Sequence, residues 1–165
     1  MSRLFSERDF EISDGDGNVI GHARTVWAVI DTRTRQVGDI SRIEWVSELI
    51  PDRECPVAKP SRLRPVEPPA EPSDDYREAR YRFQYTDIDF NRHVNTMRYI
   101  EMMLDVLPIE RFAEERPLRL DINFLKEARY GQTLSVALEE RGSQTLVEIR
   151  SDAGAALCRG AFEWR

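Results

Sequence analysis

At 165 residues, with 41% hydrophobic and 33% charged side chains, the chain has the balance of one soluble globular domain or two small ones sharing a core, and disorder is excluded. A formal charge of −6 disfavours nucleic acid as the main partner, because neutralising phosphates needs a basic footprint. No apolar run approaches a membrane span, and the acid-bearing start "MSRLFSERDFE" has no signal-peptide core, so the expectation is no membrane and a cytoplasmic location.

In chain order, "LFSERDFEIS" and "VIGHARTVWAVID" are two β-rich runs on either side of "DGDGN", which predicts a hairpin. Asp14, Asp16 and Asn18 alternate as calcium ligands do. Val19 and Thr25, however, stand where such a loop needs glycine and glutamate, so a plain turn is expected. Ile40, Ile43, Val46 and Ile50 then recur at helical spacing up to Pro51, predicting a short amphipathic helix. Residues 1–50 are thus a hairpin plus a helix, too little to bury a core unaided.

Residues 51–77 hold seven of the nine prolines and read as an extended linker. Beyond them, "EARYRFQYTD" alternates Tyr81, Phe83 and Tyr85 along one face of a strand. From Asn95 the period becomes helical, with Met97, Ile100, Leu104 and Leu107 on one face and Tyr99, Met103 and Val106 widening the stripe. Asn95 or Thr96 is the candidate N-cap, and Pro108 is the stop. The breadth of that stripe predicts a helix wrapped by a sheet. Four strand-like runs follow, "RLDINFLKEA", "QTLSVALEER", "QTLVEIRSD" and "ALCRGAFEWR", separated by "RYG", "GS" and "AGA".

The candidate chemistry lies between the strand and the helix. Asp89, Asn91 and His93 occupy alternate positions, which in an extended segment point the same way. The helix start just after them is expected to offer unpaired backbone N–H groups to an oxyanion. Glu127, at the end of the next strand and before the "RYG" turn, is placed to meet them, and a carboxylate beside an imidazole orients it or activates water. Taken singly, each is explained as a cap, turn or surface residue, and only the joint pattern points to a site. His22 reads as a solvated side chain. Cys55 and Cys158 have neither disulfide nor zinc spacing, so no metal is expected.

"YTDIDFNRHVNTMRYIEMML" resembles the signature of the acyl-acyl carrier protein thioesterases, whose hotdog domains carry a D-x-N-x-H-V-N-N turn leading into the central helix. "LDINFLKEARYGQTLSV" is similar to the family's next strand and turn, and "RDFEISDGDGNVIGHARTVWAVID" to the closing hairpin of its first hotdog domain. The resemblance implies an α+β fold, with a complete hotdog in residues 78–165 and a partial one in residues 1–50. It implies hydrolysis of a fatty acyl thioester on acyl carrier protein, in fatty acid biosynthesis, by Asp89, Asn91, His93 and Glu127, with no cofactor. Plant members have a cysteine after the matching glutamate. Here Ala128 stands there, which removes a cysteine acyl-enzyme route at this site and favours activated water. Thr96 replaces the second asparagine of the family turn and keeps an oxygen for capping.

The same resemblance places the start of this chain near the last hairpin of the first domain. The edges and apolar surface then left open invite pairing with a second copy, a homodimer. Arg62/Arg64 and Arg77/Arg80/Arg82 are candidate contacts for an acidic carrier protein. The alternatives are a hotdog thioesterase acting on acyl-coenzyme A and a non-catalytic acyl-binding or assembly fragment.

Overall fold

Polar and apolar residues alternate on both sides of the acidic turn and build a two-stranded antiparallel ribbon, β1 (Phe5–Ser13) and β2 (Val19–Ala28), with Phe10 opposite Ala23 and Asp9 opposite Arg24. The computed structural model describes residues 4–43, 54–59, 62–114 and 116–165. The chain divides into two units, Met1–Ser61 and Arg62–Arg165. In the first, Asp14 builds the turn: one carboxylate oxygen accepts from the Asp16 and Asn18 N–H groups and the other from the Asn18 amide, while Gly17 takes φ +85°. The Asn18 side-chain hydrogen bond leads in holding the Asp14 carboxyl below its usual range.

The helix expected over 40–50 is shorter where it is described. Asp39 caps a 3-10 turn, Ile40–Arg42, and Ile43 is already extended at φ −95°, ψ 101°. Val46 and Ile50 lie outside the described residues.

The second unit is an antiparallel sheet of five strands in the order β3 (Tyr76–Arg82), β5 (Thr133–Arg141), β6 (Gln144–Ser151), β7 (Ala156–Trp164), β4 (Pro117–Phe124). Against its inner face lies α1 (Thr96–Asp105), followed by a short α2 (Ile109–Glu114) not expected from the sequence. Tyr99, Met102 and Met103 of α1 join Leu134, Val136, Leu138, Val147, Ile149, Cys158 and Phe162 in one buried cluster. The helix lies in the sheet as the breadth of the apolar stripe predicted, but its buried side is centred on Tyr99, Met102 and Met103, and Met97 and Leu104 of the expected face are exposed. Gly160 allows the close approach, since a Cβ there would stand 2.6 Å from Met103 Sδ.

The outer face of the sheet is also covered. Residues from Arg62 onward cross it as an extended strap, with Val66 buried against Ala137, Leu146 and Ala161. Proline brings no N–H to satisfy, so the strap's carbonyls are what need partners. Arg159 donates to the Leu63 carbonyl at 3.1 Å and Arg150 to that of Val66. The buried Glu148 carboxylate joins both guanidinium groups. The strap's own Leu63 N–H donates to Asn123 Oδ1 at 2.7 Å.

Candidate active site

The loop between β3 and α1 is organised by two aspartates. Asp87 is 1% exposed and closes a 3-10 turn, Tyr85–Asp87. Its Oδ2 accepts from Gln84 N–H at 2.6 Å and Tyr81 O–H at 3.0 Å, and its Oδ1 pairs with Arg98 Nε at 2.7 Å. That turn ends the strand early. Tyr85, expected on the same face as Tyr81 and Phe83, is 85% exposed, whereas Phe83 is fully buried.

Asp89 then folds the next five residues over itself. Its Oδ1 accepts from the N–H groups of Asn91 (2.8 Å) and His93 (3.1 Å), and its backbone N–H donates to the His93 carbonyl at 2.8 Å. Arg92 takes φ +65°, a conformation that costs a non-glycine residue on the order of 1 kcal/mol. The segment is therefore a tight turn, and the expectation of an extended D-x-N-x-H with three side chains facing one way is corrected. Asp89 spends its carboxylate on the loop's own backbone.

A second expectation also changes. Every backbone N–H from Asn91 to Asn95 is already engaged: two by Asp89 Oδ1, and Arg92, Val94 and Asn95 by the carbonyls of Asp89, Ala128 and Asp87. At the helix start, Asn95 Oδ1 takes Met97 N–H and the Asn95 carbonyl takes Arg98 N–H. Of the two N-cap candidates in the sequence, Asn95 and Thr96, Asn95 is the cap. Its success consumes donors that an oxyanion would have used, and the Asn91 side-chain amide, exposed at the turn, is a donor that this network does not use.

Glu127 arrives from the other side. β4 ends at Phe124, three residues before it, and Leu125 and Lys126 both donate to the Leu157 carbonyl. Ala128 is fully buried, with its N–H on Tyr99 Oη at 3.1 Å and its carbonyl on Val94 N–H at 3.0 Å. These two bonds stitch the Glu127 segment to the helix and to the turn. They bring His93 Nε2 to 3.3 Å from Glu127 Oε2, with both side chains partly open to solvent. So His93 and Glu127 meet, Asn91 sits at the tip of the same turn, and Asp89 acts beneath it.

Sequence reasoning missed Asp87, Arg98, Tyr81 and Tyr99, which hold the helix start in place. A polar Arg98 beside an apolar stripe, and a first aspartate two residues ahead of Asp89, were the available signals.

The family model of the acyl-ACP thioesterase C-terminal domain matches residues 70–165, which is the sheet, the helix and both halves of this site. The chain belongs to the acyl-ACP thioesterase family. A solved acyl-ACP thioesterase from Bacteroides thetaiotaomicron is 34% identical, with a TM-score of 0.88 over 100% of this chain and 65% of that one. The 12:0-ACP thioesterase of Umbellularia californica, 20% identical, superposes with a TM-score of 0.82 over 100% of this chain and 64% of that one, a likeness of fold alone. A chloroplastic acyl-(acyl-carrier-protein) hydrolase of Cuphea viscosissima is 27% identical over 96% of this chain. This thioesterase-family chain spans 40% of that relative's length. The hotdog fold is thereby established. Among its described residues, no helix is long and apolar enough to cross a membrane.

Proposed function

We propose that the chain hydrolyses the thioester between a fatty acyl group and acyl carrier protein, releasing the free acid. The observation that carries this reading is the 3.3 Å contact between His93 and Glu127 beside an exposed Asn91, inside the segment matched by the family. In the proposed reaction the Asn91 amide donates to the thioester carbonyl oxygen as negative charge gathers there. Glu127 takes a proton from a water molecule, whose oxygen bonds to the carbonyl carbon. The C–S bond then breaks, His93 supplies the proton that the departing thiolate needs, and Glu127 passes the proton taken from water to His93 across their contact, which restores both groups. Asp89 keeps Asn91 and His93 at the turn. Ala128 lies fully buried beside Glu127 and has no nucleophile to offer, which supports direct attack by water.

The same reading includes a cytoplasmic location, residues 1–50 as part of a companion hotdog, and association with a second copy. The exposed apolar side chains of the ribbon, Phe10 at 47%, Ile12 at 49% and Trp27 at 49%, support such association. The test compares one acyl group on acyl carrier protein and on coenzyme A. Turnover with the carrier-protein substrate, lost by roughly 10²-fold or more in Asn91→Ala and Glu127→Ala with unchanged circular dichroism, is expected. Faster turnover of the coenzyme A thioester would reassign the carrier. Binding of acyl carrier protein without turnover would make the chain a binding module.

A further inference from the structure

Tyr99 belongs to the buried wall of α1, yet one of its atoms reaches the site. Its ring is held edge-on by Phe83 at 6.0 Å and by Phe124 at 5.9 Å, so the hydroxyl has a fixed position. That hydroxyl accepts the Ala128 N–H at 3.1 Å. The N–H belongs to the peptide that begins at the Glu127 carbonyl carbon. The Ala128 carbonyl in turn accepts the N–H of Val94, the residue after His93. One hydroxyl therefore sits at the end of a short covalent and hydrogen-bonded path that joins both members of the His93–Glu127 contact.

We infer that Tyr99 is a positioning residue, whose hydroxyl sets the Glu127 main chain at the place from which its carboxylate reaches His93. This rests on the proposed reaction for its catalytic meaning, while the geometry it describes does not. Burial, with smaller contributions from Cys158 and Glu127, pushes the Tyr99 hydroxyl up to about 12. It stays protonated through neutral pH and keeps a lone pair for Ala128. A phenylalanine would fill the same slot and leave a buried N–H without an acceptor.

The experiment pairs Tyr99→Phe with an NMR readout and with turnover. In the wild type, Glu127→Gln is expected to shift the His93 ring resonances. In a Tyr99→Phe background that response shrinks, and Ala128 amide exchange rises on the order of tenfold or more. If the chain is a thioesterase, kcat falls by roughly tenfold or more while KM stays within about twofold. A core variant on β6, Val147→Ala, in the same cluster as Tyr99 but without a hydrogen bond to the Glu127 segment, controls for general loosening: it lowers Tm but keeps the His93 response. The inference is overturned if Tyr99→Phe leaves the response and the Ala128 exchange unchanged, or if Val147→Ala abolishes them equally. Should Tyr99→Phe not fold, 3-fluorotyrosine installed at position 99 must move the Ala128 amide resonance, and an unmoved resonance also overturns it. If no thioester is hydrolysed by the wild type but the NMR coupling holds, the functional reading fails and the positioning role stands.

Discussion

Asp87 shows how much of the site's geometry rests on a residue that takes no part in the proposed chemistry. It is a 1% exposed carboxylate that meets a backbone N–H, a tyrosine hydroxyl and a guanidinium, and through them ties β3 to the first turn of α1. Removing the charge from such a buried pair is costly because the partner's interactions are lost in a place water barely reaches. Asp87→Asn should lower stability by about 3 kcal/mol, measured by urea unfolding. A loss below about 1 kcal/mol would mean the pair is dispensable.

Cys158 gives a second test at the same scale. It is fully buried in the helix-facing cluster, and burial pushes its thiol up to about 12. Iodoacetamide at pH 8 should modify half-buried Cys55 and reach Cys158 only in denaturant, as peptide mass mapping would show. Folded-state values for Cys158 and Tyr99 lie above those of an unfolded chain, about 8.5 and 10, so the unfolded chain releases these protons first. Their stabilising contribution is complete below about pH 8.5 and fades as pH rises toward 12. Tm should therefore drop between about pH 9 and 11, and less steeply in Cys158→Ala.

At this scale the sequence exposed the polar residues but not their duties. Asp89, Asn91, His93 and Glu127 stand out by type and spacing, and two of them meet. What stayed hidden is that Asp89 turns inward to its own backbone and that Asn95 takes the Met97 and Arg98 N–H groups of the helix start. Those outcomes depend on φ and ψ through Arg92, which a periodicity of two cannot express.

Among the elements, the helix and the sheet were legible because their apolar periods differ, near 3.6 for α1 and 2 for its strands. The strap was not, since a proline-rich run without apolar rhythm looks like a tether whether or not it lies on something. Among the described residues Val66 and Leu63 are its apolar anchors, and the arginines that hold it come from two strands far along the chain. Tyr85 was misplaced on β3 for a related reason: alternation continued in the sequence after Asp87 had turned the chain. The helix–sheet contact itself has a sharp test. Gly160→Ala would set a Cβ 2.6 Å from the fully buried Met103 sulfur, so it should cost about 1–3 kcal/mol in urea unfolding. With Met103→Ala in the same chain, itself a costly truncation, the combined loss should be smaller than the sum of the two single losses. Simple additivity of the two costs would show that they do not meet.

For the molecule as a whole, the two units are unequal in means. Arg62–Arg165 has a core from both faces of a five-stranded sheet, while the first unit presents a ribbon whose β1 is exposed at almost every position. Expressed separately, residues 62–165 should melt cooperatively, whereas residues 1–61 should show no cooperative transition, by circular dichroism against temperature. A cooperative melt of the shorter piece would mean that its ribbon has a stabilising partner within those residues.

The pairing of β4 with β7 also bears on when the site is assembled. β4 leads directly to Glu127, and its ladder partner is the last strand in sequence, with Arg116 and Arg165 exchanging backbone hydrogen bonds at the far end. In synthesis, the His93 turn and Glu127 both precede β7, whose ladder with β4 and whose Leu157 carbonyl anchor the segment that carries Glu127. The support beneath that contact therefore waits on residues synthesised well after both of its members, so neighbours in space become neighbours late in time.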